Sequence, residues 1–475
     1  MKSSAEMLEG LPLLVNGELL NPAQTCAVIN PASGEILAGA PVADADQLEQ
    51  AVKAARCAGL SGWAADESGR RKVLLAAAQA LEAHGAQLSA ALCLEIGIPM
   101  KAAQLEVAMS AAFMKHRAAA SLPVDVLYDD PKQRVEVVRT PIGVVGAILP
   151  WNAPLLIASE KISTAFIVGN TVVLKPSLLA PLTVALMGRV LQRVLPPGVL
   201  NIVPGDDALG AALVAHPDVR MISFTGSIRA GKSIMANAAP GLKRLSLELG
   251  GNDAAIVLPD ANVERVASRI VQTAFYRSGQ ICATIKRLYV HERLFEPLLA
   301  ALTRAVQAIV LGDPFDASVT MGPLSNRAQF DRVRQLVDAA QAAGGKLVSG
   351  VAPSGNGYYV APTLVTGLES GHALIAEEQF GPVLPVIPYG RVEDAVAAAN
   401  GTPYGLGGSV WGSDVDAACL IARGLDSGTV WVNRHGLVLP DIPFGGTKES
   451  GVGRSNGAAG IDQYAELKTI STARS

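Results

Sequence analysis

The sequence predicts an α/β fold built on parallel sheets, and three features carry that prediction. From Pro141 onward, short β-rich apolar runs alternate with helical stretches, as expected of parallel strands joined by crossover helices. A second series of the same kind runs from about 253 to 432. At 475 residues, half of them apolar, the chain has material for two or three domains at about 150 residues each.

Taken in order, Met1–Glu6 carries an early acid and leads into only a short apolar run, so no secretory leader is expected. Alanine-rich segments at 45–58 and 70–96 have helical apolar spacing, with Asp44 or Asp46 placed to cap the first. Between 122 and 141 the texture changes. Leu122–Tyr128 and Arg134–Thr140 alternate as strands do around Asp129-Asp130-Pro131-Lys132, which reads as a hairpin. Then come a strand at Val144–Leu149, a helix from about 154, a strand at Thr171–Leu174, a helix near 181–194 and a strand at Leu200–Val203. Val219–Phe224 precedes a glycine-containing turn and a further helix. The last 40 residues are rich in glycine, and Gly451-Val452-Gly453 reads as a turn.

Composition excludes several classes of function. Only 17% of residues are charged, which is incompatible with disorder. The 39 Lys and Arg are mixed with 42 Asp and Glu for a net charge of −3, without a basic stripe, so neither nucleic acid nor an anionic membrane is an expected partner. No apolar run reaches the ~18 residues of a membrane span. The cysteines (Cys26, Cys57, Cys93, Cys282 and Cys419) are odd in number and scattered, and the six histidines do not cluster. No disulfide framework and no metal site are expected, and the compartment reads as the reducing cytoplasm.

Gly226-Ser-Ile-Arg-Ala-Gly231-Lys232-Ser233 matches the phosphate-binding pattern GxxxxGK[ST] and follows a strand, which taken alone points to a nucleotide hydrolase. The downstream strand Ala254–Asp260 makes a poor Mg²⁺ partner, because a proline precedes its acid. A strand, a glycine turn and a helix start equally suit a dinucleotide pyrophosphate. Three other segments decide between these uses. They are Pro150-Trp151-Asn152-Ala153-Pro154, Leu247-Glu248-Leu249-Gly250-Gly251-Asn252 and Gly279-Gln280-Ile281-Cys282. With Gly169–Pro176, Pro197–Asn201, Phe224–Ser227, Glu377–Pro382 and Pro443–Gly446, in this order and spacing, the chain resembles the aldehyde dehydrogenase superfamily over nearly its whole length.

The resemblance implies a definite chemistry. A planar aldehyde gives up hydride poorly, whereas a thiolate adduct is a tetrahedral alkoxide from which hydride leaves readily. Cys282 is at the family's nucleophile position, and cysteine suits the role because its thiolate is strongly nucleophilic. By the same resemblance the Asn152 amide and the Cys282 backbone N–H stabilise the alkoxide. Glu248 is the general base that activates water to cleave the thioester. Retention of all three argues against a non-catalytic relative, and Glu248 favours release of free acid over transfer to coenzyme A.

The cofactor implied is NAD or NADP. Lys175 is expected at the adenosine ribose and Glu378 at the nicotinamide ribose. Thr225, Gly226 and Ser227 belong near the pyrophosphate and nicotinamide, and Phe380 beside the ring. Trp151, Leu249 and Gly250 complete the set. Three residues past Lys175, where NAD-selective relatives carry Glu, this chain has Leu178. That loses a ribose acceptor and a charge repelling a 2′-phosphate, so the cofactor preference stays open with a lean to NAD⁺. The substrate pocket departs as well. Ala153 stands where many relatives have a large aromatic, and Glu160 where an aromatic is common. Glu160 reads either as a partner of Lys161 or a nearby base, or as a group favouring a cationic or hydroxylated aldehyde. Ile281 and Ala283 flank the nucleophile, and Arg434, His435 and Phe444 are expected to line the tunnel. Arg434 and His435 read equally well as contacts for a polar substrate tail or as solvated loop residues. Near 455 relatives more often carry an acid than Ser455, and no role is assigned to that serine.

The expected organisation is a Rossmann-type cofactor domain (1–121 and 142–249), an α/β catalytic domain (250–442) and a β-hairpin oligomerisation element (122–141 with 456–475). Edge pairing through the hairpin implies a homodimer or homotetramer.

Overall fold

The computed structural model describes residues 5–474, so the extreme ends of the expected segments, 1–4 and 475, lie outside the described residues. The first large sheet contains a parallel core of β1 (Val144–Ile148), β2 (Thr171–Lys175), β3 (Leu200–Ile202), β4 (Val219–Thr225) and β5 (Arg244–Glu248). Their spatial order is β5-β4-β1-β2-β3, flanked by antiparallel pieces at Gly451–Val452 and at Leu13–Val15 with Glu18–Leu20. The strands carry near-continuous apolar runs because helices cover both faces, leaving β1 and β2 almost wholly buried. Chain order runs from β1 outward through β2 and β3, then returns to the other side of β1 for β4 and β5. The strand order therefore reverses between β1 and β4, which is where ligands bind in open α/β sheets.

Four helices matter for the site: α1 (Met100–Ala119), α2 (Pro154–Val168), α3 (Leu182–Leu191) and α4 (Ile228–Ala238). Proline at the first position of α2 and Gly169 in the left-handed region after it give that helix a definite start and stop. Asp44 caps the helix Ala45–Ala58 with a capping box to Gln47.

A second sheet of seven strands holds β6 (Asp253–Val257), β7 (Ile285–His291), β8 (Val383–Tyr389), β9 (Gly407–Trp411) and β10 (Thr429–Val432), all parallel, in the order β8-β7-β6-β9-β10. The strands Thr363–Thr366 and Lys346–Ser349 extend it beyond β8. A third sheet stands apart. Its antiparallel strands are Asp125–Asp129, Gln133–Pro141 and Ala465–Ala473, with Asp130 accepting the Lys132 and Gln133 N–H groups in the turn.

Three features depart from the sequence reading. The segment 70–96 is two helices, Glu67–Ala83 and Gly85–Ile96, broken at His84. Residues 13–42 form strands that the composition did not announce. Gly451–Val452 is not simply a turn but a short strand on β5, brought there because the glycine-rich tail folds back across the first sheet. Among the described residues no helix is long and apolar enough to cross a membrane.

Candidate functional site

The carboxyl ends of the first sheet converge. Register places Ile148 beside Lys175 and Phe224, and Thr225 beside Glu248. The segment after β1 therefore delivers Trp151 and Asn152 to the same rim as Thr225 and Glu248. Asn152 is buried, and its Nδ2 donates to the Gln280 carbonyl at 2.7 Å, joining this rim to the loop that carries Cys282.

That loop has an unusual backbone. Arg277, Ser278 and Gly279 all lie in the left-handed region, at φ 52°, 58° and 72°. Two non-glycine residues there cost on the order of 1–2 kcal/mol each, so the surroundings must hold them. Arg277 Nη2 meets Glu106 Oε2 of α1 at 2.5 Å, with both side chains buried. The other Glu106 oxygen accepts the Leu155 and Leu156 N–H groups at the start of α2. Ser278 donates to the Gly322 carbonyl, and Gln280 accepts from Ser325 N–H. A Cβ at Gly279 would meet the Gly381 carbonyl oxygen at 2.3 Å, and one at Gly251 would meet the Cys282 oxygen at 2.8 Å, so only glycine allows these approaches.

Cys282 is half-buried against Ala283, Leu406, Trp431 and Phe444. Burial pushes its thiol up to about 12, and Lys286 pulls the other way. Glu248 ends β5 in a buried position, with Ser455 Oγ donating to its Oε1 at 3.2 Å while Oε2 finds no partner among the described residues. Burial and the nearby Glu160 raise this carboxyl to about 8, opposed by Lys161, Ser455 and Arg454. The free oxygen is the atom with which Glu248 would accept a proton as a base. Ser455 reaches Oε1 because the N–H of each of Phe444 and Ser455 bonds the other's carbonyl, holding the tail against the site.

The residues present fit a dinucleotide. Ser227 caps α4 and accepts the Ala230 N–H, leaving the helix start facing the crevice at the reversal of strand order. Lys175 ends β2 in a buried position, where desolvation lowers its ammonium pKa despite the nearby Asp207 and Asp206. Glu378 accepts the Gly251 N–H at 3.2 Å, and its carboxylate closes over Gly250. Trp151 meets Phe380 edge to face, 5.4 Å between ring centres, and so bridges the two large sheets. Leu249 is buried, with its N–H bonded to Ser450 O, and Thr225 and Gly226 lie at the rim beside it. When bound, the cofactor supplies the hydride acceptor.

Several expectations need correction. Glu160 does not pair with Lys161. Lys161 Nζ donates instead to Ser223 Oγ at 2.8 Å, which also accepts from Tyr464 OH, so the lysine is satisfied within the sheet. The Glu160 carboxylate forms no hydrogen bond or ion pair among the described residues, and acts on Glu248 through its charge. His435 neither reads a substrate tail nor lies in solvent. Its side chain is fully buried, with Nε2 3.3 Å from Asp253 Oδ2, Nδ1 2.9 Å from Ser409 Oγ and the ring against Trp431. Arg434 is exposed. Ala153 is buried where α2 begins, and Ile281 and Phe444 are partly exposed near Cys282. Lys232 of the phosphate-loop pattern is exposed and paired with Glu449 at 2.8 Å, and the Gly226 N–H is taken by the Glu248 carbonyl, so neither group is free in the way a nucleotide-hydrolase loop would use it. Sequence reasoning missed Ser455, Glu106, Arg277 and Lys286. Two adjacent cations, Lys286 and Arg287, in an otherwise apolar strand were a usable signal for the last.

The model of the aldehyde dehydrogenase family matches residues 20–470. Phenylacetaldehyde dehydrogenase of Pseudomonas fluorescens is 37% identical, covering 99% of this chain and 98% of that protein. 2-Hydroxymuconic semialdehyde dehydrogenase of a Pseudomonas species is 36% identical over 96% of this chain and 98% of that protein. Among solved structures, betaine aldehyde dehydrogenase of Staphylococcus aureus in complex with NAD⁺ superposes with a TM-score of 0.95 at 30% identity, covering 100% of this chain and 97% of that one.

Proposed function

Since the chain belongs to the aldehyde dehydrogenase family and is an NAD(P)-dependent enzyme that oxidises aldehydes, we propose that it works through a thioester on Cys282 and releases a free carboxylic acid. Cys282 attacks the aldehyde carbon. The Asn152 amide and the Cys282 N–H hold the resulting oxyanion, each donor contributing about 2.7–4 kcal/mol to the transition state. Loss of the hydride to bound NAD(P)⁺ would leave a thioester on Cys282, and Glu248 then takes a proton from the water that cleaves its acyl–sulfur bond, freeing the acid and returning the thiol. The observation that carries this reading is the unpartnered, buried Glu248 Oε2 on the rim to which Asn152 ties the Cys282 loop.

Around this centre the same reading assigns Trp151, Lys175, Thr225, Gly226, Ser227, Leu249, Gly250, Glu378 and Phe380 to the cofactor. Leu178, in place of an acid, removes a charge that would repel a 2′-phosphate, and the preference stays open with a lean to NAD⁺. The small Ala153 and the unpaired Glu160 favour a roomy pocket that tolerates a cationic or hydroxylated aldehyde. Residues 1–121 with 142–249 act as the cofactor domain and 250–442 as the catalytic one. The third sheet joins subunits, and the scattered cysteines support a cytoplasmic setting.

The test is absorbance at 340 nm with NAD⁺ or NADP⁺ and a panel of aldehydes. Reduction that disappears in Cys282→Ala, with cofactor binding retained, is the expected result. Reduction that persists in that variant would rule the thioester out.

A further inference from the structure

Four residues past the nucleophile, at the start of β7, an ammonium group is sealed in the interior. Lys286 has a side chain only 1% exposed. Its Nζ donates to the carbonyls of Ile281 and Cys282, both at 2.8 Å, and lies 3.3 Å from Glu378 Oε1. The Phe380 ring centre is 5.7 Å away. All three donors of the ammonium therefore have acceptors. Burying a cation is expensive, and the two carbonyls alone would be served as well by a neutral donor. What a neutral donor lacks is the charge.

Three acids also act on Cys282, Glu378, Asp253 of β6 and Glu248 of β5, and all of them disfavour a thiolate. Asp253 itself is backed by His435 on its far oxygen. Lys286 opposes the three acids and favours ionisation of a thiol that burial otherwise keeps protonated. We propose that Lys286 is the positioning residue that makes Cys282 ionisable, fixing the Ile281–Cys282 turn through two carbonyls and supplying the positive charge that stabilises the thiolate. The thiol proton passes to Glu248 or to water, and the sulfur keeps the electron pair it uses on the carbonyl carbon. Through Glu378 the same ammonium links the nucleophile turn to a cofactor-binding acid. The inference rests on Cys282 being the nucleophile.

The experiment measures the rate at which iodoacetamide alkylates Cys282 as a function of pH, read by mass spectrometry on the labelled peptide. The thiolate displaces iodide, so the midpoint of the profile reports ionisation. The variants are Lys286→Gln, which keeps a donor for the carbonyls without charge, Lys286→Met, and Lys286→Arg, which keeps the charge. The Gln and Met variants should move the midpoint up by about one unit or more, about tenfold slower alkylation below it, while Lys286→Arg stays near the parent enzyme. If Met prevents folding, Gln carries the comparison. Gln and Met profiles with the parent midpoint, or slowed equally at every pH, would overturn the inference and leave Lys286 a structural clamp. If Cys282 is not the labelled residue, or Cys282→Ala still oxidises aldehydes, the nucleophile reading fails instead.

Discussion

At the scale of single residues, the chemistry hinges on how the interior biases one carboxyl, Glu248, and one thiol, Cys282. Glu248 is held up to about 8, first by burial and then by the charge of Glu160. A base must be deprotonated to act, so the fraction of competent Glu248 rises with pH through that value and falls about tenfold per unit below it. Acyl-enzyme hydrolysis, followed in single turnover, should show this limb. Glu160→Gln removes the like charge, so it should move the limb to lower pH and speed hydrolysis near neutrality. A limb that stays in place would mean that Glu160 does not govern the base. Ser455→Ala removes a donor to Glu248 Oε1 and should move the limb the opposite way. These roles were only partly legible in the sequence. Cys282, Asn152 and Glu248 stand in recognisable segments. Ser455, Lys286 and His435 act through partners far along the chain, at Glu248, Glu378 and Asp253, and no local pattern announces such pairs.

At the scale of elements, Glu106 binds three things that must stay in register: the left-handed Arg277, and the Leu155 and Leu156 N–H groups that start α2. Asn152 precedes that start and Cys282 follows Arg277, so one carboxylate on α1 spans both expected oxyanion donors. Removing one member of a buried ion pair leaves an uncompensated charge and typically costs about 3–5 kcal/mol. Glu106→Gln should therefore lower the melting temperature clearly, and Arg277→Met should do the same. If the two groups act as a unit, the double variant loses much less than the sum of the singles. Additive losses in melting would refute the coupling. The elements themselves were well signalled where pattern and capping agreed, as in the helix at 45–58 with Asp44 or the hairpin around Asp130. The strands of 13–42 were not signalled, because they are short and owe their form to pairing with each other and with β3.

At the scale of the whole molecule, the third sheet poses the remaining question. Its outer strand, Asp125–Asp129, presents an unpaired backbone edge and exposed apolar side chains, with Leu127 and Tyr128 58% and 57% exposed. Leu467 and Ile470, on the strand at the opposite edge, are exposed too. Open apolar edges are a liability in a lone chain and are usually charged, bulged or covered. Here the hairpin carries charge mainly in its Arg134 and Arg139 ion pairs, which fold back onto Asp129, Glu136, Asp125 and Asp462 rather than guarding the edge. A second copy of the chain, adding its own strand, would cover it with self-complementary contacts. Light scattering coupled to size exclusion should then give twice or four times the 49.1 kDa chain mass. Leu127→Asp with Leu467→Asp should shift the population toward the single chain while the cofactor crevice, built on a different sheet, still binds NAD⁺. A parent protein running at 49.1 kDa would remove the oligomer from this reading.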